Sequence, residues 1–160
     1  VLIRSYEPLE IVSLPVPDDL FVAVVHPHCE VSTSDARRLV QARTFGLEAI
    51  VANLGNVASL VAALHKGDLD LLGRSIEDRL IEPLRATLIP GFAAVKSAAF
   101  SSGALGCSIA GSGPSVFAFG RGPAAAESIG DAMRSAFRSA AQLGSDLYVG
   151  NVNRRGTRIL

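Results

Sequence analysis

Apolar residues along the chain switch between two spacings. Val1 to Ser5 and Leu9 to Leu14 are short runs joined at Glu7-Pro8 and stopped by Pro15 and Pro17, which predicts two strands. Phe21-Val22-Ala23-Val24-Val25 is an unbroken set of β-formers and predicts a buried central strand. The spacing then turns helical. Ser32, Thr33 or Ser34 can cap a helix beginning near Asp35. Leu54, Val57, Val61 and Leu64 mark an amphipathic helix ended by Gly67, and Asp68 caps a second with the stripe Leu69, Leu72, Ile76 and Leu80. Pro83 breaks that pattern, and a further helix runs from Pro90 to Ser101-Ser102-Gly103, so Arg85 is expected between helices. Residues 104–110 and 115–119 return to strand. Pro123 opens a helix to about Leu143, closed by Gly144, with Ala126, Ile129, Met133, Phe137 and Ala140 on its buried face. Leu147 to Asn153 reads as a last strand.

From the strand at 21–25 onward this order is β-α-β-β-α-β with extra helices after the first strand. It predicts a ferredoxin-like α+β sandwich, with helices on one face of an antiparallel sheet. The leading hairpin stands outside that count. Residues 1–18 are expected to belong with the sheet of an N-terminal lobe upstream, and residues 19–160 to form the domain itself.

Composition narrows the partners. Fifteen basic and fifteen acidic residues cancel, so no general field draws the chain to nucleic acid or to a membrane. No apolar run reads as approaching membrane-spanning length. Cys29 and Cys107 are far apart and in no metal spacing, which suggests a reduced, cytoplasmic protein. Arginine outnumbers lysine thirteen to two, supplying planar forks suited to carboxylate or phosphate.

The chemistry-bearing stretch is Ile109-Ala110-Gly111-Ser112-Gly113-Pro114-Ser115, a glycine-rich turn between two strands. Gly111 and Gly113 can take positive φ and aim backbone N–H groups at an anion, and Pro114 restricts the residues before it. A plain tight hairpin fits the same residues. The loop is neither a full dinucleotide fingerprint, because Val116 stands where the third glycine belongs, nor a Walker A loop. His26, His28 and Cys29, with distant His65, lack the convergent ligands a metal site needs and read as strand-end side chains; no metal ligand is assigned. Arg37 lies one turn after Thr33, so both can face one ligand. Asp35 and Glu82 read as helix-start acids or as partners of an arginine, and no catalytic residue is assigned.

Three clusters together carry a resemblance: Ser32-Thr33-Ser34-Asp35-Ala36-Arg37; Glu82-Pro83-Leu84-Arg85 with Leu88-Ile89-Pro90-Gly91-Phe92; and Ile109-Ala110-Gly111-Ser112-Gly113-Pro114-Ser115. In order and spacing the chain resembles the C-terminal half of the homoserine kinases of the GHMP family, down to Gly156-Thr157-Arg158-Ile159-Leu160, which is similar to the family's Gly-Ala-Arg-Val ending. The resemblance implies ATP- and Mg²⁺-dependent phosphorylation of the L-homoserine side-chain hydroxyl on the path to threonine. It also implies a homodimer, and an N-terminal lobe that carries the ATP loop Pro-x-x-x-Gly-Leu-Gly-Ser-Ser, which this sequence lacks. By the same resemblance Thr33, Arg37 and Arg85 line the amino-acid site, and Gly111, Ser112 and Gly113 lie at the phosphate end. Two positions depart from the family pattern. Ala110 replaces the usual Ser, and Asn153 replaces the usual Asp, which leaves Arg154 and Arg155 without an obvious local partner. A non-catalytic ferredoxin-like module that binds an amino acid or dimerises, or another GHMP kinase such as one for mevalonate, fits parts of the pattern.

Overall fold

A computed structural model describes residues 1–154; Arg155 and the closing Gly156-Thr157-Arg158-Ile159-Leu160 lie outside the described residues. Strands β1 (Leu2–Tyr6) and β2 (Leu9–Val12) pair antiparallel as a two-stranded sheet of their own. The main sheet is built from β3 (Leu20–Pro27), β4 (Gly106–Ile109), β5 (Val116–Arg121) and β6 (Ser145–Asn151), in the order β4-β5-β3-β6 with every neighbour antiparallel. That is the ferredoxin-like order the sequence predicts. Between the strands lie α1 (Thr33–Gln41), α2 (Leu47–Lys66), α3 (Leu69–Ser75), the single turn α4 (Glu82–Arg85), a 3₁₀ turn over Ala86–Leu88, α5 (Phe92–Ser101) and α6 (Pro123–Ala141).

The two-residue period of the strands sorts the side chains. Ala23 and Val25 of β3 lie opposite Ala118 and Val116 of β5, and all four are fully buried. Val25, Val116 and Ala118 form one core with Val95 of α5 and with Ile129, Met133 and Phe137 of α6. A second cluster packs Ala63 at the C-terminal end of α2, and Leu69 and Leu72 of α3, against Leu20 and Phe119. Gly73 permits that docking: a Cβ there would sit 2.2 Å from the Leu105 carbonyl oxygen.

Several helix limits differ from the expectation, each for a local reason. Helix α3 stops at Ser75, so Ile76 and Leu80 do not extend its stripe. Instead the Asp78 carboxylate accepts hydrogen bonds from the amides of Leu80, Ile81 and Glu82 and gathers them into a turn. Arg85 is the last residue of α4 rather than lying between helices. Helix α5 begins at Phe92, after Gly91 in the left-handed region. Helix α6 ends at Ala141 and is closed by Gln142, also left-handed, and not by Gly144; Ala136 takes the buried place expected for Ala140, which is exposed. Gly144 serves another purpose, since a Cβ on it would lie 2.9 Å from His28 Nδ1. Arg154 is not short of a partner, because its guanidinium reaches the Asp18 carboxylate and the Val16 carbonyl where the chain returns beside the start of β3.

The largest departure is α2. Its mean hydropathy of 1.6 over a membrane-length window makes it, by length and composition alone, apolar enough to cross a bilayer, which corrects the reading that no run approaches that length. Leu47, Val51, Leu54 and Val57 are exposed along its N-terminal half. Asn53 and Asn56 on the same helix donate to the Asp78 carboxylate and to the Glu77 carbonyl, so polar contacts with the segment before α4 hold this half in place.

Candidate functional site

The glycine-rich loop joins β4 to β5 over residues 110–115. The Ala110 amide donates to the Ser115 carbonyl (2.8 Å) and the Gly113 amide to the Ala110 carbonyl (3.0 Å), closing the turn. Gly111 and Gly113 have φ of +60° and +84°, a region that strains any residue with a Cβ. At Gly113 space is short as well, with Ile89 Cδ1 3.0 Å from where a Cβ would stand. Closure consumes the Gly113 amide. The amides of Gly111 and Ser112 make no backbone hydrogen bond among the described residues and are the two left to face an anion. Beneath the loop, Ser115 Oγ lies 2.8 Å from His26 Nδ1, and His28 Nε2 lies 3.1 Å from Asp146 Oδ2, so both histidines have local partners.

Arg85 meets this loop directly. Its Nη1 donates to the Gly111 carbonyl at 2.7 Å, while its buried Nε has no partner among the described residues. A buried guanidinium N–H without an acceptor is costly, and an arriving carboxylate would satisfy it. Thr33 and Arg37 sit one turn apart on the exposed side of α1, which packs beside α4. Ser32 caps α1 by accepting from the Asp35 amide, and Asp35 pairs with Arg38. Arg37 makes no hydrogen bond or ion pair among the described residues. An open cleft of about 540 Å³ runs between the exit of β3, the start of α1 and Pro114 of the loop, lined by His26, Cys29, Glu30 and Ser32 among others. The fold therefore joins Arg85 to the glycine-rich loop by a hydrogen bond and sets Thr33 and Arg37 on the neighbouring helix without a bond to either.

Glu82 is a helix-start acid, on the first turn of α4, as one of its two expected roles has it, but its partner is not an arginine. Its Oε1 pairs with Lys96 Nζ of α5, and its Oε2 accepts from Ser108 Oγ of β4 at 2.6 Å. Its side chain is only 11% exposed and that of Lys96 24%. Nothing in the linear sequence pairs these three residues. Sequence spacing points the other way, since Arg85 stands one turn after Glu82 on the same segment. Beside them burial pushes the Cys107 thiol up to about 12, with the nearby Lys96 charge pulling the other way. Burial also opposes ionisation of Asp78, but hydrogen bonds from the Ile81 amide, the Asn53 side chain and the Leu80 and Glu82 amides outweigh it and hold the carboxyl below its ordinary range.

Residues 60–139 match the family model described as "GHMP kinases C terminal", which is half of the chain. The chain belongs to the GHMP kinase family. Among GHMP relatives, the homoserine kinase of Chloroherpeton thalassium is 49% identical over 160 residues, covering all of this chain and 50% of that protein. The crystal structure of homoserine kinase from Cytophaga hutchinsonii superposes with a TM-score of 0.91 at 51% identity, covering 95% of this chain and 48% of that one. The L. major mevalonate kinase, solved with R-mevalonate, shares the GHMP fold at 19% identity and a TM-score of 0.66, covering 86% of this chain and 44% of that one. This GHMP kinase chain spans about half the length of the curated relatives it matches.

Proposed function

We propose that this chain is the substrate-side half of a homoserine kinase, which transfers the ATP γ-phosphoryl group to the side-chain hydroxyl of L-homoserine and yields O-phospho-L-homoserine. The observation that carries the reading is the Arg85 guanidinium, held on the glycine-rich loop with one buried N–H unsatisfied, in a chain half identical to homoserine kinases along its whole length. In this reading Arg37 and Arg85 bind the substrate carboxylate as two planar forks, a geometry lysine could not reproduce. Thr33 offers its hydroxyl to the same amino acid. Gly111 and Ser112 present their amides, and Gly113 shapes the turn, where the phosphoryl group passes.

Phosphoryl transfer depends on positioning and charge neutralisation more than on covalent chemistry from the protein. Asp35 and Glu82 are engaged by Arg38 and by Lys96 with Ser108, so neither is assigned as a base. The residues present do not fit Mg²⁺ on their own: among the described residues no three His, Cys, Asp or Glu side chains group to hold a metal. By the family resemblance, ATP and its metal are assigned chiefly to an N-terminal lobe, and no step here is routed through them. The homodimer and the cytoplasmic setting belong to the same proposal; they rest on the family resemblance and on the two free cysteines, Cys29 and Cys107.

The test is Arg37→Ala and Arg85→Ala in the complete kinase carrying this chain, assayed with homoserine and with a panel that includes mevalonate. Each substitution is expected to cost roughly 2–5 kcal/mol of homoserine kcat/KM. Unchanged kinetics in both variants, or a preference for mevalonate, would overturn the reading.

A further inference from the structure

We propose that Glu82 is a positioning residue for the substrate arginine: clamped between Lys96 of α5 and Ser108 of β4, it sets the height and rotation of α4 so that Arg85 reaches the glycine-rich loop. The inference rests on the homoserine kinase reading and deepens it.

Helix α4 is a single turn, Glu82–Arg85, far too short to hold its own geometry in water. Its position must come from outside. Glu82 and Arg85 stand three residues apart and so share one side of that turn. Their contacts on the neighbouring segment are also three residues apart, Glu82 to Ser108 Oγ and Arg85 to the Gly111 carbonyl. The turn is thus attached at two points to the strand-and-loop segment that carries the phosphate-side glycines, and the attachment at Glu82 is the buried one. Lys96 anchors the same carboxylate to α5 and lies 5.9 Å from the centre of the Phe92 ring. Removing the Glu82 charge would leave the Lys96 ammonium partly buried and uncompensated, Ser108 without its charged acceptor, and α4 held by Asp78 at its start and by Arg85 on the loop but no longer by a side chain on β4 and α5. A displacement on the order of 1 Å at the guanidinium is enough to lose most of a bidentate contact.

The experiment compares Glu82→Gln, Ser108→Ala, Arg85→Ala and the double variant Glu82→Gln/Arg85→Ala in the complete kinase, measuring KM for homoserine, KM for ATP and kcat. Glu82→Gln should raise the homoserine KM roughly 10- to 100-fold, while the ATP KM moves by less than about two-fold. Ser108→Ala, which removes only one of the two contacts, should raise it in the same direction by a smaller factor, and it carries the test if Glu82→Gln does not fold. In the Arg85→Ala background, Glu82→Gln should add less than about two-fold, because the two act through one guanidinium. The proposal is overturned if the two effects multiply in full, or if Glu82→Gln or Ser108→Ala lowers the melting temperature and leaves the homoserine KM at the parent value. Failure of the underlying reading looks different: Arg85→Ala alone would then leave the homoserine KM unchanged.

Discussion

Helices α2 and α6 carry apolar stripes that look alike in the sequence, yet the fold treats them in opposite ways. On α6, Ile129, Met133 and Phe137 have no exposed surface and close the core against β3 and β5. On the N-terminal half of α2, Leu47 is 76% and Leu54 65% exposed. That half is held by hydrogen bonds of Asn53 and Asn56 with the segment just before α4. One helix is fixed by burial, which is non-directional and sums over area. The N-terminal half of the other is fixed by three directional contacts, the two asparagine donors and the Arg79 amide that donates to Asn53, which transmit position. The candidate site hangs from the second kind: Asp78 joins α2 to the start of α4, and Glu82 joins α4 to α5 and β4.

The widest gap between the two helices should appear on truncation. Phe137→Ala removes a fully buried ring and is expected to cost about 3–5 kcal/mol in urea unfolding, whereas Leu54→Ala should change stability by less than about 0.5 kcal/mol. Comparable losses would dissolve the distinction. A smaller effect tests the polar tether. Asp78→Asn gives up a charged acceptor shared by three amides and Asn53, and should cost about 1–2 kcal/mol at neutral pH. Its sign with pH is fixed by the direction of the shift. The folded carboxyl is held below its ordinary range, so its contribution is complete above about pH 4, where the unfolded group ionises, and is lost as pH falls through the lower folded value. The gap in stability between the parent and Asp78→Asn should therefore narrow on acidification. A gap that stays constant or widens toward acid would remove Asp78 as a charged tether.

The sequence was legible where local rules decide the outcome. The run of β-formers at Phe21-Val22-Ala23-Val24-Val25, the strands around the glycine-rich turn and the helix opened by Pro123 point to the ferredoxin-like order, and the glycines at 111 and 113 announce a turn that needs positive φ. Helix ends were less legible, because they depend on competition between neighbours. Asp78 captures the amides that a longer α3 would have used, and Gln142 rather than Gly144 takes the left-handed position. Choice of partner was least legible. Glu82 carries an acid's charge on its face, but whether an arginine or Lys96 answers it depends on where α5 packs, and Arg85 meets a carbonyl 26 residues away. The stripe on α2 shows the limit plainly: a 3.6-residue period marks a face that can be buried and is silent on what lies against it.

The smallest expected effect is the one most able to break the comparison. Val51 and Leu54 are 58% and 65% exposed, so most of their apolar area is already in contact with water in the folded chain and little transfer free energy remains to lose. Replacing both with lysine, three residues apart on one helix face, introduces a like-charge pair worth only a few tenths of a kcal/mol. Urea midpoints for Val51→Lys/Leu54→Lys should then lie within about 0.5 kcal/mol of the parent, with amide exchange at Asn53 and Asn56 unaltered because their side-chain bonds to Asp78 and the Glu77 carbonyl persist. A loss above about 1.5 kcal/mol cannot come from side chains that are already wet. It would mean that in solution this half of α2 is covered, and that burial as well as the two asparagines fixes the helix from which the site is suspended.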